Sequence, residues 1–309
     1  MKKKLIIRMS NNLGNQMFMY ASSLSFSRQM QRDLLIDNES SYVLKKNLHT
    51  WYSLDFFNIS SDIAPKSHKF IGTIGYIRRK LLKKLDFLKS NKTFYLENKK
   101  NDKTTFHDDS FLNKHYSDNL YIEGYYESEK YFLKYKDDIR KEFVFKHKDK
   151  YIDHPLYNQI KNSNSVCVCL RQNRFSEGKS KISMKDNEMS KVFSNEQSNY
   201  IKYSINKFKQ KMPNAKFFLW SNDYKELSKY LPLNELNIVS TNKIDLDLFL
   251  MTQAKHYIVI PSSFNWWGCW LSENKEKIVF RPSNNIFTHY KINNIDFWPE
   301  NWLEINLDE

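Results

Sequence analysis

Short apolar runs alternate with amphipathic segments through the second half of the chain. The runs that predict buried strands cover residues 165–171, 215–220, 236–239, 257–260 and 277–281. The segments with helical periodicity cover residues 199–212, 224–231, 245–254 and 262–271. Strands that alternate with helices are typical of a doubly wound parallel sheet, whose ligands bind outside the carboxyl ends of the strands.

The first half carries a less regular pattern of the same kind. It predicts strands at Lys4–Met9, Leu34–Asp37 and Leu120–Glu123, and helices at Gln16–Met30 and Glu127–Phe143. Residues 146–161 are charged, contain His154-Pro155 and have little apolar content, so we place a domain boundary there. The 309 residues then form two domains of ordinary size, 1–155 and 156–309.

One segment combines a strand, a turn and a tryptophan-rich helix. Tyr257–Ile260 is short, apolar and β-branched, and Pro261 ends it. Ser262 or Ser263 is then a natural N-cap for a helix. Such a helix start presents unpaired N–H groups and a positive dipole end, which bind phosphate. The alternative is an ordinary capped helix whose tryptophans belong to the core.

A second strand-to-helix turn, Ser10–Asn15, lies near the amino terminus. Its small and amide residues readily adopt left-handed backbone conformations and expose amide donors. It lacks the second and third glycines of a dinucleotide fingerprint and the Lys-Ser/Thr pair of a P-loop. The pattern alone therefore favours a ligand loop no more than a plain turn.

Polar residues collect on one rim of the predicted second sheet. Arg171 follows its first strand, Ser221–Asp223 its second and Ser262-Ser263 its fourth. The planar guanidinium of an arginine can bind a diphosphate through two N–H groups, and a serine hydroxyl and the amides of a helix start can donate to the other phosphate oxygens. A carboxylate can accept hydrogen bonds from the N–H edge of a base or from ribose hydroxyls. We therefore predict an anion site there. Asp247 begins the preceding helix, where an aspartate usually serves the helix dipole.

The stretch Ile71–Lys92 is basic and amphipathic. Its cationic face and its apolar face are formed by alternating residues: Arg78, Arg79, Lys80, Lys83 and Lys84 on one side, and Ile77, Leu81, Leu82 and Leu85 on the other. The ordinary interpretation is a solvated surface helix. The alternative is a docking face for anionic lipid or a lipid-linked substrate.

Composition narrows the class of protein. The formal net charge of +14 favours an anionic partner such as a nucleotide, a nucleic acid or an acidic membrane surface. Basic residues are scattered and no nucleic-acid module is recognised, so we expect no nucleic-acid partner. No apolar run approaches the roughly 20 residues that span a bilayer. The 3 cysteines lack a paired spacing, which fits a reducing cytoplasm.

Four motifs resemble, in order, those of bacterial α1,2-fucosyltransferases: Asn11–Ala21, Phe217–Asp223, Leu248–Met251 and Ser262–Leu271. The resemblance covers both halves, and the paired tryptophans of the last motif are its specific part. It implies an α/β glycosyltransferase of GT-B type with two facing Rossmann-like domains. Residues 1–155 would form the acceptor-side domain and residues 156–309 the GDP-sugar-binding domain. It also implies inverting transfer of L-fucose from GDP-fucose without a metal or other cofactor.

The resemblance implies roles for individual residues. Arg171 and the segment Ser262, Ser263 and Phe264 would hold the donor diphosphate, and Asp247 would contact guanine. We expect the other donor contacts to come from Asn12, Gly14, Asn15, Gln16, Arg174, Ser221 and Asp223. The acceptor would be a hydroxyl, galactose O2, on a glycan or lipid-linked oligosaccharide of an O-antigen, lipopolysaccharide or capsule precursor. We therefore expect a cytoplasmic protein with peripheral contact at the inner membrane face.

The arginine motif departs from the family pattern. The usual His-x-Arg-Arg-x-Asp is Cys169-Leu-Arg-Gln-Asn-Arg174 here, which keeps Arg171 but replaces the imidazole with a thiol and the carboxylate with Arg174. Asn222 stands where an aspartate is more usual. Two alternatives follow: a transferase on the same scaffold that uses another GDP-sugar, and a catalytically silent glycan- or nucleotide-binding relative.

The implied reaction is displacement at the anomeric carbon by an acceptor hydroxyl, with GDP as the leaving group. No metal motif is in view, so Arg171 and the amides of Ser262–Phe264 would neutralise the diphosphate. A carboxylate would deprotonate the acceptor. Glu177, Asp186 and Glu188 lie in a predicted polar loop, 175–198, and Glu177 is nearest to the arginine motif. The catalytic candidates are thus Arg171, Asn15 and Glu177.

Overall fold

The computed structural model describes residues 3–42, 51–97, 107–177, 179, 181–290 and 295–307. These residues form two compact units, one within Met1–Lys146 and Ile295–Phe297, the other within His147–Asn294 and Trp298–Glu309. The change of unit falls inside the charged stretch at 146–161, upstream of the boundary predicted after residue 155. The return of Ile295–Phe297 to the first unit is not visible in the sequence pattern.

The first unit is built on a parallel five-stranded sheet. Its strands are β1 Lys4–Arg8, β2 Asp33–Asp37, β3 Asp62–Ile63, β4 Lys92–Leu96 and β5 Tyr116–Glu123, in the order β3-β2-β1-β5-β4. Its helices are α1 Leu13–Gln29, α2 Gly72–Leu85 and α3 Lys136–Glu142. The chain order reverses between β1 and β5, so a crevice opens at their carboxyl ends.

The second unit carries a parallel six-stranded sheet. Its strands are β6 Asn164–Leu170, β7 Ala215–Ser221, β8 Leu236–Ile238, β9 His256–Ile258, β10 Val279–Pro282 and β11 Leu303–Ile305. Its helices are α4 Lys148–Ile152, α5 Pro155–Lys161, α6 Met184–Lys211, α7 Ile244–Thr252 and α8 Ser263–Leu271. The sheet order β11-β10-β9-β6-β7-β8 is the Rossmann order, 3-2-1-4-5-6 when counted from β6. Its switch point lies between β6 and β9.

Three predicted elements of the sequence pattern are wrong. The predicted polar loop 175–198 is largely the amino-terminal half of α6, where a capping box between Ser183 and Asp186 starts the helix. The predicted helix Glu127–Phe143 contains two 3₁₀ turns and ends in the short helix α3. The predicted helix at 224–231 is a single 3₁₀ turn, because Glu226 before it has a left-handed backbone with φ 58°.

The glycine of the tryptophan helix is required by close packing. A Cβ added at Gly268 would lie 2.8 Å from Met251 Cβ on α7, which is closer than real Cβ contacts. Alanine normally favours a helix over glycine by about 1 kcal/mol, but the overpacking opposes this gain. The glycine therefore sets the distance between α7 and α8, and α8 carries the turn described below.

We expect Gly268→Ala to lower the stability of the protein. Overpacking of a close helix contact costs about 1–3 kcal/mol, so the midpoint of thermal unfolding should fall. The control is Asn187→Ala at an exposed position of α6, which should not lower the midpoint, since alanine favours a helix over asparagine. A Gly268→Ala variant as stable as the parent would show that α7 and α8 separate without cost.

Candidate active site

The chain leaves β6 between two carboxamide side chains that hold its backbone. Buried Gln197 of α6 accepts a hydrogen bond from Arg171 N at 3.1 Å and donates to Arg171 O at 2.8 Å. Asn222, after β7, accepts from Gln172 N at 2.8 Å and donates to Gln172 O at 3.1 Å. We call these two residues the amide clamp. Each pairs with an N–H and a C=O of one residue, as a neighbouring strand would, so the backbone at the switch point is fixed.

The guanidinium of Arg171 points to a carboxylate in the same loop. Arg171 Nη2 lies 2.7 Å from Glu177 Oε2, and the side chains are 27% and 42% exposed. Burial lowers the pKa of Arg171, and the charge of Arg174 lowers it further. Glu177 opposes both effects. The structure thus brings the candidate base Glu177 into contact with Arg171 at the end of β6.

Arg174 has a different partner. Its Nη2 donates to the Tyr290 hydroxyl at 2.7 Å, and its guanidinium carbon lies 4.6 Å from the centre of the Tyr290 ring. Tyr290 itself packs edge-to-face on Phe193 of α6. The sequence pattern gives no signal for Tyr290, which follows β10 in an irregular segment. Arg174 is thus a second cation near Arg171, oriented by an aromatic side chain.

The turn after β7 uses its polar groups internally. The Ser221 hydroxyl donates to Asp223 O at 2.6 Å, and the Asp223 carboxylate accepts from Asn173 Nδ2 at 3.1 Å and Lys225 N at 2.9 Å. The sequence predicts that Ser221 and Asp223 contact the donor. The structure shows them shaping the turn and tying it to the loop after β6, which supports the position of the amide clamp.

Asp247 combines burial with an open acceptor. Burial raises the pKa of Asp247 to about 6, and the neighbouring polar groups of Thr241 and Trp220 partly oppose this increase. Its Oδ1 is buried and has no hydrogen-bond partner among the residues that the structure describes. A half-buried carboxylate with an unused oxygen fits the predicted contact with the N–H edge of a base better than a dipole role at the helix start.

The start of α8 has no side-chain cap from its N-cap residue, whose N–H donates to Ile260 O at 2.7 Å. Ser262 occupies the N-cap position with an extended backbone, but its side chain makes no capping hydrogen bond. Instead, buried Asn265 accepts from Ile260 N at 2.9 Å and ties the end of the strand to the first turn of the helix. The predicted N-cap position is therefore correct, whereas the predicted side-chain cap is not. Ser262, Ser263 and Phe264 are half-buried at the end of β9, the strand next to β6.

The first unit brings its predicted loop to the switch point of its own sheet. Asn11 has a left-handed backbone with φ 62°, as the amide-rich turn predicts. Asn11 Nδ2 donates to the Tyr125 hydroxyl at 2.8 Å, and Asn15 Nδ2 donates to Glu127 Oε1 at 3.1 Å. Both partners follow β5. Asn12 is exposed ahead of α1, whereas Gly14 is buried within its first turn.

The predicted contact between Gln16 and the donor is wrong. Its side chain is fully buried, and Nε2 donates to Asn11 O at 2.8 Å and to Trp51 O at 2.7 Å. Its Oε1 accepts from Ser53 N at 2.8 Å. Since both amide hydrogens and the oxygen are used inside the unit, Gln16 positions the loop and does not face a ligand.

The other two candidate bases do not fit that role. Asp186 caps α6 and pairs with Lys179 at 2.7 Å, and these hydrogen bonds lower the pKa of Asp186 to about 2. Glu188 lies on an exposed position of the same helix and not on the predicted loop. Glu177 alone among the three is in contact with the arginine motif.

The described residues hold neither a cluster of metal ligands nor a helix that could span a membrane. No three His, Cys, Asp or Glu side chains in the described part of the chain form a group that could hold a metal ion. None of the helices among the described residues has both the length and the apolarity needed to cross a bilayer.

Two parallel-sheet, Rossmann-like units, the second with an arginine and the start of a helix at its switch point, have the architecture of a glycosyltransferase of GT-B type. The predicted fold class is thus confirmed. The chain belongs to glycosyl transferase family 11, whose model matches residues 5–306. The predicted enzyme class and family resemblance are therefore correct.

Individual relatives are distant but match over nearly their whole length. An Escherichia coli alpha-1,2-colitosyltransferase is 26% identical over 309 residues, which cover 97% of this chain and 98% of the relative. The E. coli O-antigen biosynthesis glycosyltransferase WbnK is 24% identical, covering 89% and 92%. The solved fucosyltransferase NodZ from Bradyrhizobium shares the fold with a TM-score of 0.52 at 15% identity, covering 87% and 92%. A further NodZ structure, soaked with GDP-fucose, gives a TM-score of 0.51 at the same identity, covering 88% and 93%.

Proposed function

We propose that the protein moves L-fucose from GDP-fucose to a hydroxyl, galactose O2, of a bacterial surface-glycan precursor, with inversion at the anomeric carbon. The observation that carries the proposal is Arg171, fixed by the amide clamp at the end of β6, whose neighbouring strand β9 leads into α8. The GDP-fucose soaked into NodZ supports the donor, and the name of WbnK supports an O-antigen precursor as the acceptor.

The second unit would bind the donor. Arg171 would grip the diphosphate with two parallel N–H groups, and the start of α8 at Ser262–Phe264 would hold its remaining oxygens, though not through the Ser262 N–H, which donates to Ile260 O at 2.7 Å. Asp247 would accept hydrogen bonds from the guanine N–H edge through its free oxygen. The first unit would serve the acceptor, with Asn12, Gly14 and Asn15 as its candidate contacts.

The proposed chemistry is a single displacement. The acceptor oxygen forms a bond to the anomeric carbon while the bond from that carbon to the diphosphate oxygen breaks. The electron pair leaves with GDP, where Arg171 and the α8 amides stabilise the charge that develops. The proton of the acceptor hydroxyl passes to a carboxylate, for which Glu177 is the candidate.

The contact between Glu177 and Arg171 suggests how these roles are linked. In the present structure the carboxylate occupies one side of the guanidinium at 2.7 Å. A diphosphate that takes this place would release Glu177 from its ion pair. The carboxylate would then be free to accept the proton only when the donor is bound.

We also propose that catalysis needs no metal, because Arg171, Arg174 and the α8 amides supply positive charge at the diphosphate. The site of action would be cytoplasmic, at the inner face of the membrane, where lipid-linked oligosaccharides are presented. The proposed location follows from the acceptor proposed above.

A second candidate donor has a specific basis. The relative that is 26% identical over nearly the whole chain is named a colitosyltransferase. The arginine motif also departs from the usual pattern at Cys169 and Arg174. A colitosyl group carried by the same nucleotide is therefore the alternative donor sugar, and it leaves the roles of Arg171 and Asp247 unchanged.

A donor panel tests the proposal. Purified protein is incubated with GDP-fucose, GDP-colitose, GDP-mannose or UDP-galactose and a galactose-terminated acceptor, with and without EDTA. We expect transfer from GDP-fucose, a product with inverted anomeric configuration, and an unchanged rate with EDTA.

The other outcomes separate the candidates. Transfer from GDP-colitose alone would replace fucose as the donor sugar. Transfer from the UDP-sugar, or binding of every donor without turnover, would contradict the proposal. A strict requirement for Mn²⁺ would contradict the part that assigns charge neutralisation to Arg171 and the α8 amides.

A further inference from the structure

Helix α2 of the first unit presents its apolar side to solvent. Ile74, Ile77 and Leu81 are 84%, 59% and 55% exposed, and Leu85 continues the same face. The three- and four-residue spacing of these side chains places them in one stripe. Phe87 and Leu88, in the turn after α2, are also exposed. A helix of a globular protein normally turns such a stripe towards the core, so α2 has the opposite orientation.

The inward side of α2 is charged and firmly held. Arg79 and Lys83 reach Glu123, at the end of β5, with distances of 2.5 and 3.0 Å, and all three side chains are largely buried. Burial disfavours the ionised form of Glu123, but the bonds and charges of Arg79 and Lys83 outweigh it and lower its pKa. Leu82 packs against a cluster of the core. The ion pairs therefore fix the rotation of α2 that exposes the stripe.

Cations border the exposed stripe on both sides. Arg78 lies along one edge, with its guanidinium 4.9 Å from the centre of the Phe70 ring, and Lys80 and Lys84 lie along the other. Residues 72–85 contain no acidic side chain. An apolar centre with cationic edges matches an anionic lipid surface, where the edges meet headgroups and the centre meets acyl chains. A second copy of the chain would instead bring like charges together.

We propose that α2, together with Phe87 and Leu88, docks the protein on an anionic phospholipid surface by inserting this stripe. This inference rests on the proposed function for the location at the inner face of the membrane. What is new is which residues contact the membrane and by what chemistry they do so. Binding to a lipid surface requires no nucleotide sugar. The vesicle test can therefore fail while the donor panel succeeds, and the donor panel can fail while the vesicle test succeeds.

The test is flotation of the full chain with vesicles. We compare phosphatidylcholine vesicles with vesicles that also contain phosphatidylglycerol, at low and high salt. The parent protein should float with the anionic vesicles at low salt. Its binding should be at least about tenfold weaker to neutral vesicles, and also at least about tenfold weaker to anionic vesicles at high salt. Ile77→Ser with Leu81→Ser should weaken anionic-vesicle binding by about tenfold or more, since two side chains lose their apolar burial.

Charge and position are controlled separately. The double variant Lys80→Glu with Lys84→Glu should also weaken binding by about tenfold or more. The control double variant Lys202→Glu with Lys216→Glu makes the same charge change on the second unit and should bind like the parent. Ile182→Ser with Met184→Ser removes two exposed apolar side chains elsewhere and should bind like the parent. Unchanged thermal unfolding, and unchanged transfer to a short water-soluble acceptor, show that each variant is folded.

Three results would overturn the proposal. The parent protein could stay at the bottom of the gradient with anionic vesicles. The control pairs could lose as much binding as the α2 pairs. The parent protein could fail to bind vesicles and instead form a dimer, seen by light scattering, that the variant Ile77→Ser with Leu81→Ser dissociates. That result would assign the stripe to contact with a second copy of the chain.

Discussion

Replacing Arg171 with alanine is expected to lower kcat/KM for transfer by about 10²–10³-fold, the loss that follows removal of one preorganised group at a developing negative charge. The side chain lies at the end of β6 and is 27% exposed, while its backbone is held by Gln197. The variant should therefore remain folded. Steady-state kinetics with GDP-fucose and thermal unfolding measure the two properties.

The comparison variants separate charge from geometry. Arg171→Lys keeps the charge but loses the planar fork, so its activity should fall between those of the parent and the alanine variant. Arg28→Ala removes an arginine that pairs with Asp138 on the first unit and should have normal activity. Near-parental turnover in Arg171→Ala would place the diphosphate somewhere else.

Replacing Asp247 with asparagine is expected to weaken GDP binding by about 10–100-fold, because an amide N–H₂ would oppose the donor edge of guanine and leave buried groups unpaired. The pKa of Asp247 is raised to about 6, so its carboxylate is ionised above that pH and protonated below it. Guanine N–H donors need the ionised form. Affinity of the parent for GDP should therefore rise from pH 5 to pH 7 and then level off.

Titration calorimetry across this pH range provides the measurement. Asp247→Asn should lose the pH dependence and should also discriminate less between GDP and UDP. Asp245→Asn is the matched control, because that carboxylate begins the same helix but bonds to the Tyr151 hydroxyl. If GDP affinity of the parent is flat between pH 5 and pH 7, Asp247 does not contact the base.

The fold was predictable where apolar periodicity is strong. β6, β7 and β9 are buried, regular strands, and their order along the chain predicts a doubly wound sheet. The first half of α6 was missed because its buried positions, such as Ser190 and Ser194, are small and polar, so no apolar period marks them. β3, β4 and β11 were missed because short strands at sheet edges carry little periodicity.

The site was predictable where its residues belong to local motifs. Arg171 and Ser262 could be placed because each follows a strand directly, and their strands, β6 and β9, are neighbours. Gln197 and Tyr290 could not, since they reach the arginine motif through tertiary contacts from distant segments. Gln16 was assigned to the wrong role because sequence does not show which amides are consumed inside the fold.

The amide clamp has a consequence for how this enzyme can change during evolution. Gln197 and Asn222 bind only main-chain atoms, which every residue except proline offers in the same form. The amide clamp therefore holds the main chain at position 172 whatever the side chain there, while the buried Gln172 amide makes its own contacts, donating to Asp223 O at 2.6 Å and Lys225 O at 3.2 Å. Replacement of the family's second arginine by Gln172 therefore leaves the main chain of Arg171 in place. Specificity for the donor sugar can change during evolution while the proposed diphosphate contact of Arg171 is kept.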